Sequence, residues 1–360
     1  MDTPKIKRES KNKIRVDFER APLAERLKAK FLSMFFLKKV VFMIFKLVLL
    51  VGVSYVILYP YITKIFGSFM TASDFKDATV ILISKNPSIN QYLYIITENG
   101  YFSALLNTFL ISLSTALIQT LICSIVAYGL AKFKFKGNNL VFFLVIFTMM
   151  VPQEAIRFSM MTHFNRFGSE NLVGMLLSAL GIIEDGFVNS LVPMYILNFL
   201  GLGFKNGLYI FLLRQFFRGV PDELEESAYV DGSNTFRTFF TIIIPLAIPM
   251  MVTVFIFAFA WAWTDDFYTT LFFEVDYFDK ADSLKFMSSI AGVPESLKLE
   301  IKNLPAYSSA ITGTATILIA LPLIIAYLFV QKYIVQGIER SGIVGYKIYS
   351  ALTLLGKGFG

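Results

Sequence analysis

The sequence predicts an all-α integral membrane protein of about six transmembrane helices, and three observations carry that prediction. Of 360 residues, 56% are hydrophobic and only 16% charged, with a mean hydropathy of +0.63, so the chain holds more apolar surface than one soluble core can hide. Uncharged runs of roughly 20 residues recur, the length a helix needs to cross a hydrocarbon layer about 30 Å thick. The basic residues behind the net charge of +7 gather in the N-terminal segment and beside those runs, a pattern of membrane topology rather than of nucleic-acid binding.

Residues 1–39 form a basic N-terminal extension without the short apolar core and small-residue cleavage site of a signal peptide. The first span covers residues 40–62, interrupted only by Lys46, whose long stem can carry its ammonium to the interface. An extracytoplasmic loop follows over 63–101. The second span, 105–130, contains no charge and ends at the basic loop of Lys132, Lys134 and Lys136. The third, 140–151, is short and stops at Pro152, so it recruits the stretch after it or is shielded by its neighbours. The fourth lies within 187–217, where Pro193, Gly201, Gly203 and Gly207 imply a bent helix. The fifth, 242–263, has Pro245 and Pro249 near its start, and the sixth, 306–330, contains Gly313 and Pro322.

Basic residues from Lys5 to Lys39 precede the first span and place that end in the cytoplasm. Alternation puts the loops around Lys132 and Arg214, and the tail 332–360 with Lys332, Arg340 and Lys347, on the same side. The opposite loops have mixed charge or an acidic excess, so charge bias and alternation agree on two cytoplasmic termini. Cys123 is the lone cysteine, which excludes a disulfide within the chain, and its apolar surroundings suit a buried small hydrophobe.

The polar interruption between the fourth and fifth spans has a legible local grammar. Pro221 suits a first helical turn, Asp222, Glu223, Glu225 and Glu226 favour the positive end of a helix dipole, and Gly232 suits the left-handed residue that stops a helix. Ser233 or Asn234 can then cap a second helix entering the membrane. Leu224 and Ala228, four apart, share one face of the first helix. Such a hairpin can dock into a partner's groove.

Glu226, Ser227 and Ala228, then Gly232, then Ile242, Ile244 and Pro245 resemble the EAA loop of ABC importer permeases, whose pattern is EAA, three residues, G, nine residues and I-x-L-P. Ser227 replaces an alanine and Ile244 a leucine. With Pro221, Glu223, Leu224 and Asp231, the segment is similar to the P-x-E-L-x-E-A-A-x-x-D-G form of the carbohydrate-uptake branch, the maltose permease G-subunit type. Asn107 and Thr108, Tyr128 and Ala131, and Pro152 resemble upstream landmarks of that branch. The stretch from Trp263 to Phe267 resembles its W-N-D-F element with Thr264 in place of asparagine, and QKYIVQG resembles its terminal segment. The resemblance covers about residues 102–342. Two features depart from the branch, a longer basic extension and extra residues between Pro152 and Phe187.

The resemblance implies a type I ABC importer permease fold, with a permease domain over 102–331 and a coupling loop at about 219–245. It implies a second homologous permease, a cytoplasmic ABC ATPase dimer and an extracytoplasmic solute-binding protein as partners, in a bacterial cell membrane, moving a sugar or oligosaccharide. The coupling residues it implies are Pro221, Glu223, Leu224, Glu226, Ala228, Asp231, Gly232 and Pro245, with Glu226 and Asp231 supplying charge or capping at the ATPase, Ala228 close packing and Gly232 the turn. No G-x-x-x-x-G-K-[ST] loop occurs in the sequence, so ATP is expected on the partner ATPase, no cofactor on this chain and no enzyme activity.

Asn107, Trp263, Asp265 and Asp266 are candidates for a solute path or outer face, Asp265 and Asp266 serving equally well as an interface-exposed pair. Trp261, Trp263, Tyr268 and Tyr277 suit contact with solute or binding protein, or an interfacial aromatic belt, while most of the 38 Phe residues suit lipid or helix packing. His163, near Arg157 and Arg166 and without cysteines, reads as a solvated loop residue rather than a metal ligand. Another solute class is the alternative within the family. A secondary transporter would couple through intramembrane carboxylates, which the long runs scarcely contain, and a membrane enzyme would need a His, Cys and carboxylate cluster that the spacing does not provide.

Overall fold

The computed structural model describes residues 34–165, 172–180, 187, 189–273, 284–302 and 304–355. The basic extension through residue 33, Arg166 and Tyr277 lie outside the described residues, as do parts of the insertion after Pro152. Among the described residues every regular element is helical.

The chain divides into two compact units, Met1–Thr63 and Lys64–Gly360. The boundary falls within α1 (Met34–Gly67), which extends the expected span at both ends and whose residues from Val41 to Tyr61 are almost all exposed. Lys46 folds its ammonium 4.5 Å over the ring of Phe42, one helical turn away.

In the second unit, α2 (Ala72–Lys76) and α3 (Asn90–Glu98) occupy the expected outer loop and lead into α4 (Tyr101–Lys132). The apolar run of α4 continues to its ends, with no proline to interrupt the ladder. One face carries Ala116, Cys123, Ala127 and Tyr128, all buried. Small residues on that face let α4 approach its neighbours closely, the way helices pack where lipid removes the hydrophobic drive. The partners on that face are Tyr209, Leu213 and Phe217 of α9 (Asn206–Arg218) and Ile243, Ala247 and Val254 of α11 (Thr235–Trp263).

Two of the six expected spans are broken helices. The third run stops at Thr148, where α5 (Asn138–Thr148) turns by 96° into α6 (Gln153–Asn165). Pro152 lies in the break and supplies no N–H to continue the ladder. His163 therefore stands on a helix, exposed, with its ring edge-on to Phe164. After α7 (Leu172–Ala179), the fourth run divides into α8 (Val192–Phe199) and α9, neither long enough to cross alone. The divider is the tight turn from Leu200 to Lys205. Lys205 adopts φ +67° there, a left-handed conformation that costs a non-glycine residue roughly 1–2 kcal/mol. Among the described residues, four helices are long and apolar enough to cross a membrane, or five counting the bent pair.

α10 (Glu223–Val230) forms the polar interruption. In α11, a π-helical turn spans Phe239–Ile243 immediately before Pro245. The ring of Pro245 displaces the carbonyl four residues back and offers no donor to it, so the ladder widens there. After α12 (Phe267–Phe272) and the short α13 (Lys298–Ile301), α14 (Pro305–Leu355) packs on α11.

Candidate functional site

Two zones along α4 carry the candidate functional side chains, one at its Lys132 end and one on its other half, from Thr108 to Gln119. At the Lys132 end, α10 is stopped by a complete Schellman closure: Ser233 N–H donates to the Ala228 carbonyl at 2.9 Å and Gly232 N–H to the Tyr229 carbonyl at 3.0 Å. Gly232 holds φ +81° to make that turn. Asn234, rather than Ser233, caps the next helix, its Oδ1 accepting from Arg237 N–H at 2.8 Å.

Four contacts bind α10 and the residues just before it to the end of α4. Lys132 Nζ donates to the Val220 carbonyl at 2.7 Å and to Asp222 Oδ1 at 2.5 Å, and lies 3.1 Å from Glu225 Oε1. Tyr128 Oη donates to Glu225 Oε2 at 2.8 Å. The side chains of Lys132 and Glu225 are only 7% and 8% exposed, so this pair is shielded from the screening that weakens surface ion pairs. The hydrogen bond and charge of Lys132 hold the Asp222 carboxyl below the usual carboxylate range. Beside them, buried Arg214 donates from Nε to the Leu130 carbonyl at 3.2 Å and stacks 3.7 Å over Phe142.

The implied coupling residues therefore separate into two faces. Pro221, Glu223, Leu224, Glu226, Asp231 and Gly232 are exposed, whereas Ala228 is buried against its own chain. Ala228 and Leu224 do not share a surface: the close packing at Ala228 is internal. The exposed part of the hairpin ends in apolar side chains, Val230 at 87% and Phe236 at 76%. Glu225, Tyr128, Lys132 and Arg214 form the inner face, although sequence reading treated them as dipole, landmark and topology features. The available signal was spacing, since Glu225 lies three residues before Ala228 and so on the same helical face.

On the other half of α4, a cleft of about 300 Å³ is lined by side chains of α4, α6, the turn before α9 and the segment from Trp261 to Phe273. Trp261, half exposed, has the Lys205 ammonium 4.3 Å over its ring. Arg157 donates to Thr270 Oγ1 at 2.6 Å and pairs with Glu154 at 3.3 Å. Asp265 and Asp266 both line the cleft. Burial raises the Asp265 carboxyl to about 6 despite amide donors from Tyr268 at 3.1 Å and Thr269 at 3.3 Å. Thr115 and Gln119 form the floor, and Gln119 Nε2 donates to Asn198 Oδ1 at 2.9 Å. A Cβ on Gly203 would lie 2.1 Å from that Asn198 oxygen and 2.9 Å from Gln119 Nε2, so only glycine lets this floor close.

Two of the candidate path residues make bonds that hold the scaffold, and of the two Trp263 also lines the cleft. Trp263 is 3% exposed and donates its indole N–H to the Ile319 carbonyl at 3.0 Å, which ties α11 to α14. Asn107 lies away from the cleft lining, its amide donating to the Lys285 carbonyl at 3.0 Å. No cluster of His, Cys and carboxylates suited to a metal occurs among the described residues.

Residues 119–340 match the family described as "Binding-protein-dependent transport system inner membrane component". The maltodextrin transport system permease protein MalD of Streptococcus pneumoniae (strain ATCC BAA-255 / R6) is 31% identical over 299 residues, covering 81% of this chain and 92% of that protein. The polygalacturonan/rhamnogalacturonan transport system permease protein YtcP of Bacillus subtilis (strain 168) is 26% identical and covers 79% and 92%. The fold resembles a chain in the crystal structure of a bacterial ABC transporter involved in the import of the acidic polysaccharide alginate, with a TM-score of 0.60 at 20% identity, covering 82% of this chain and 97% of that one.

Proposed function

Because the chain belongs to the family of binding-protein-dependent transport system inner membrane components, and is thus a multi-pass transport subunit rather than an enzyme, we propose that it is one permease of an ATP-driven sugar importer. In this reading it pairs with a second homologous permease, and the two form the path for a sugar or oligosaccharide delivered by an extracytoplasmic binding protein. ATP is bound and hydrolysed on a cytoplasmic ABC ATPase dimer, and this chain holds no cofactor of its own. Six passes, the third and fourth made by broken helices, leave both termini in the bacterial cytoplasm, in keeping with the basic residues beside the spans.

The observation that carries the proposal is the two-faced hairpin of α10 and the start of α11. Its inner face is fastened by buried Glu225 and Ala228, while Pro221, Glu223, Leu224, Glu226 and Asp231 stand exposed beside the apolar tip of Val230 and Phe236. An apolar tip ringed by carboxylates is a docking surface: the partner's cleft would cover Val230 and Phe236 and meet the carboxylates with basic or amide donors at its rim. Gly232 and Pro245 set the hairpin's turn and its re-entry into the membrane. The sugar chemistry rests on the named relatives, and Trp261 with Asp265 and Asp266 at the cleft suits a polar solute with an apolar ring face.

The test is co-purification of this chain with its neighbouring subunits and uptake of maltodextrins and galacturonan oligosaccharides into proteoliposomes. Uptake is expected only with ATP and the ATPase present. Uptake that continues without either would overturn the reading.

A further inference from the structure

Resting on the coupling role above, we propose that Lys132 is a positioning residue that clamps the coupling helix α10 to α4, so that α4, rather than the directly connected α11, carries the ATPase stroke to the cleft. Two routes lead from α10 across the unit, and they differ in stiffness. The covalent route enters α11 through the π-helical turn Phe239–Ile243 and then meets Pro245 and Pro249. The π-turn widens the ladder and the two prolines supply no donor to it, so a displacement of α10 is absorbed there by bending. The second route enters α4, a helix of 32 residues without proline and about 48 Å long at 1.5 Å per residue.

The entry to that second route is the clamp itself. Lys132 holds the start of α10 through the Val220 carbonyl at 2.7 Å, Asp222 at 2.5 Å and Glu225 at 3.1 Å, and Tyr128, one turn back on α4, holds Glu225 at 2.8 Å. Removing one member of such a buried pair leaves the other charge unpaired, so α10 cannot slide on α4 without a large penalty. Arg214 holds the Leu130 carbonyl from α9, which fixes the α4 terminus on its other side.

The exit is equally well attached. On α4, Asn107 donates to the Lys285 carbonyl at 3.0 Å, and Thr108 Oγ1 accepts from Met287 N–H at 2.9 Å. Those bonds couple α4 to the segment carrying Phe286 and Ser288, both part of the cleft lining. Thr115 and Gln119 of α4 form the cleft floor. A shift of the rod at Lys132 thus arrives on two sides of the cleft, through a helix with no compliant turn. The physical warrant for the route is this unbroken set of bonds to one rigid element, which mutation can test directly.

The experiment uses the complete importer in nanodiscs, with spin labels at exposed Phe102, on the outer part of α4, and exposed Ile248, on α11 away from the cleft lining. Their separation is measured without nucleotide and after trapping with ATP and vanadate. The wild-type separation is expected to change on trapping, and Lys132→Arg to retain that change. Lys132→Met is expected to abolish it, with ATP hydrolysis by the assembled complex continuing. Glu225→Gln, which preserves shape and one hydrogen bond, is expected to reduce the change by about half, and it decides the matter if Lys132→Met fails to assemble. A full wild-type change in an assembled Lys132→Met or Glu225→Gln complex would overturn the clamp while leaving the importer reading intact. No nucleotide-dependent change in the wild type would overturn both.

Discussion

The two zones along α4 are built on opposite principles. At the Lys132 end, charges are buried but paired, and the side chains that face outward are apolar. At the cleft, the aromatic ring of Trp261 and several charges face outward, while Thr115 Oγ1 in the lining is buried without a hydrogen bond among the described residues. A buried polar atom without a hydrogen bond costs about 1–3 kcal/mol, a cost that Glu225 Oε1 at the base, also without a hydrogen bond of its own, offsets with the Lys132 ammonium 3.1 Å away. The difference separates a grip from a passage. A grip needs one fixed geometry, whereas a passage needs surfaces whose bonds can be exchanged.

The sharpest way to break this contrast is at the turn that shapes the grip. Gly232→Pro forbids φ +81°, and uptake in proteoliposomes is expected to fall to background while the chain still inserts. Normal uptake by this variant would remove the docking hairpin from the mechanism.

The two tryptophans divide stability from function. Trp263→Ala removes a buried ring and its bond to Ile319 and should destabilise by about 3–5 kcal/mol, read as a lowered melting temperature in detergent. Trp261→Ala, at a half-exposed position, should change stability by less than about 0.5 kcal/mol yet slow uptake. Equal melting losses would show that the cleft wall is structural at both positions.

Gly203→Ala places a methyl against Asn198 and Gln119, and overpacking of this kind costs about 1–3 kcal/mol. Thermal melting of the variant against wild type checks it, and an unchanged midpoint would mean that the floor gives way freely.

The smallest effect concerns protons. The Asp265 carboxyl is raised to about 6, so the folded state holds this proton more tightly than the unfolded chain. Its contribution to stability is therefore full at acid pH and is lost as pH rises from the ordinary carboxylate range through about 6. Asp222, held low by Lys132, slopes the other way. The difference in melting temperature between wild type and Asp265→Asn isolates the first group. The wild-type melting temperature should fall steadily relative to that of Asp265→Asn from pH 4 to 7, and a flat difference would place the Asp265 carboxyl in ordinary solvent.

The hairpin was readable in sequence because its signals are local. The acidic first turn, Gly232 and Asn234 each act within four residues of their partners and occupy the positions their chemistry favours, whereas Pro221 stands one residue before the N-cap Asp222 rather than in the first turn. The clamp was half readable: Glu225 shares a face with Ala228, but its partner Lys132 lies 90 or more residues upstream, beyond any periodicity. Asn107 and Trp263 show the opposite limit. Both have the polarity of path residues, yet each spends its hydrogen bond on a backbone carbonyl far away in the chain. The broken third and fourth spans were legible as Pro and Gly positions, while the 96° bend depended on what packs around the break.

By itself, the sequence determined that this chain lives in lipid, where its four long apolar helices lie, and where the hairpin turns. Those properties follow from composition, helical period and the backbone preferences of Pro and Gly, which operate over one to six turns. Tertiary structure alone decided which face of the hairpin is fastened and which is free, and which polar residues reach the cleft. Both depend on pairing side chains from distant segments, where burial turns a weak surface ion pair into a fixed joint and an aromatic ring into a wall.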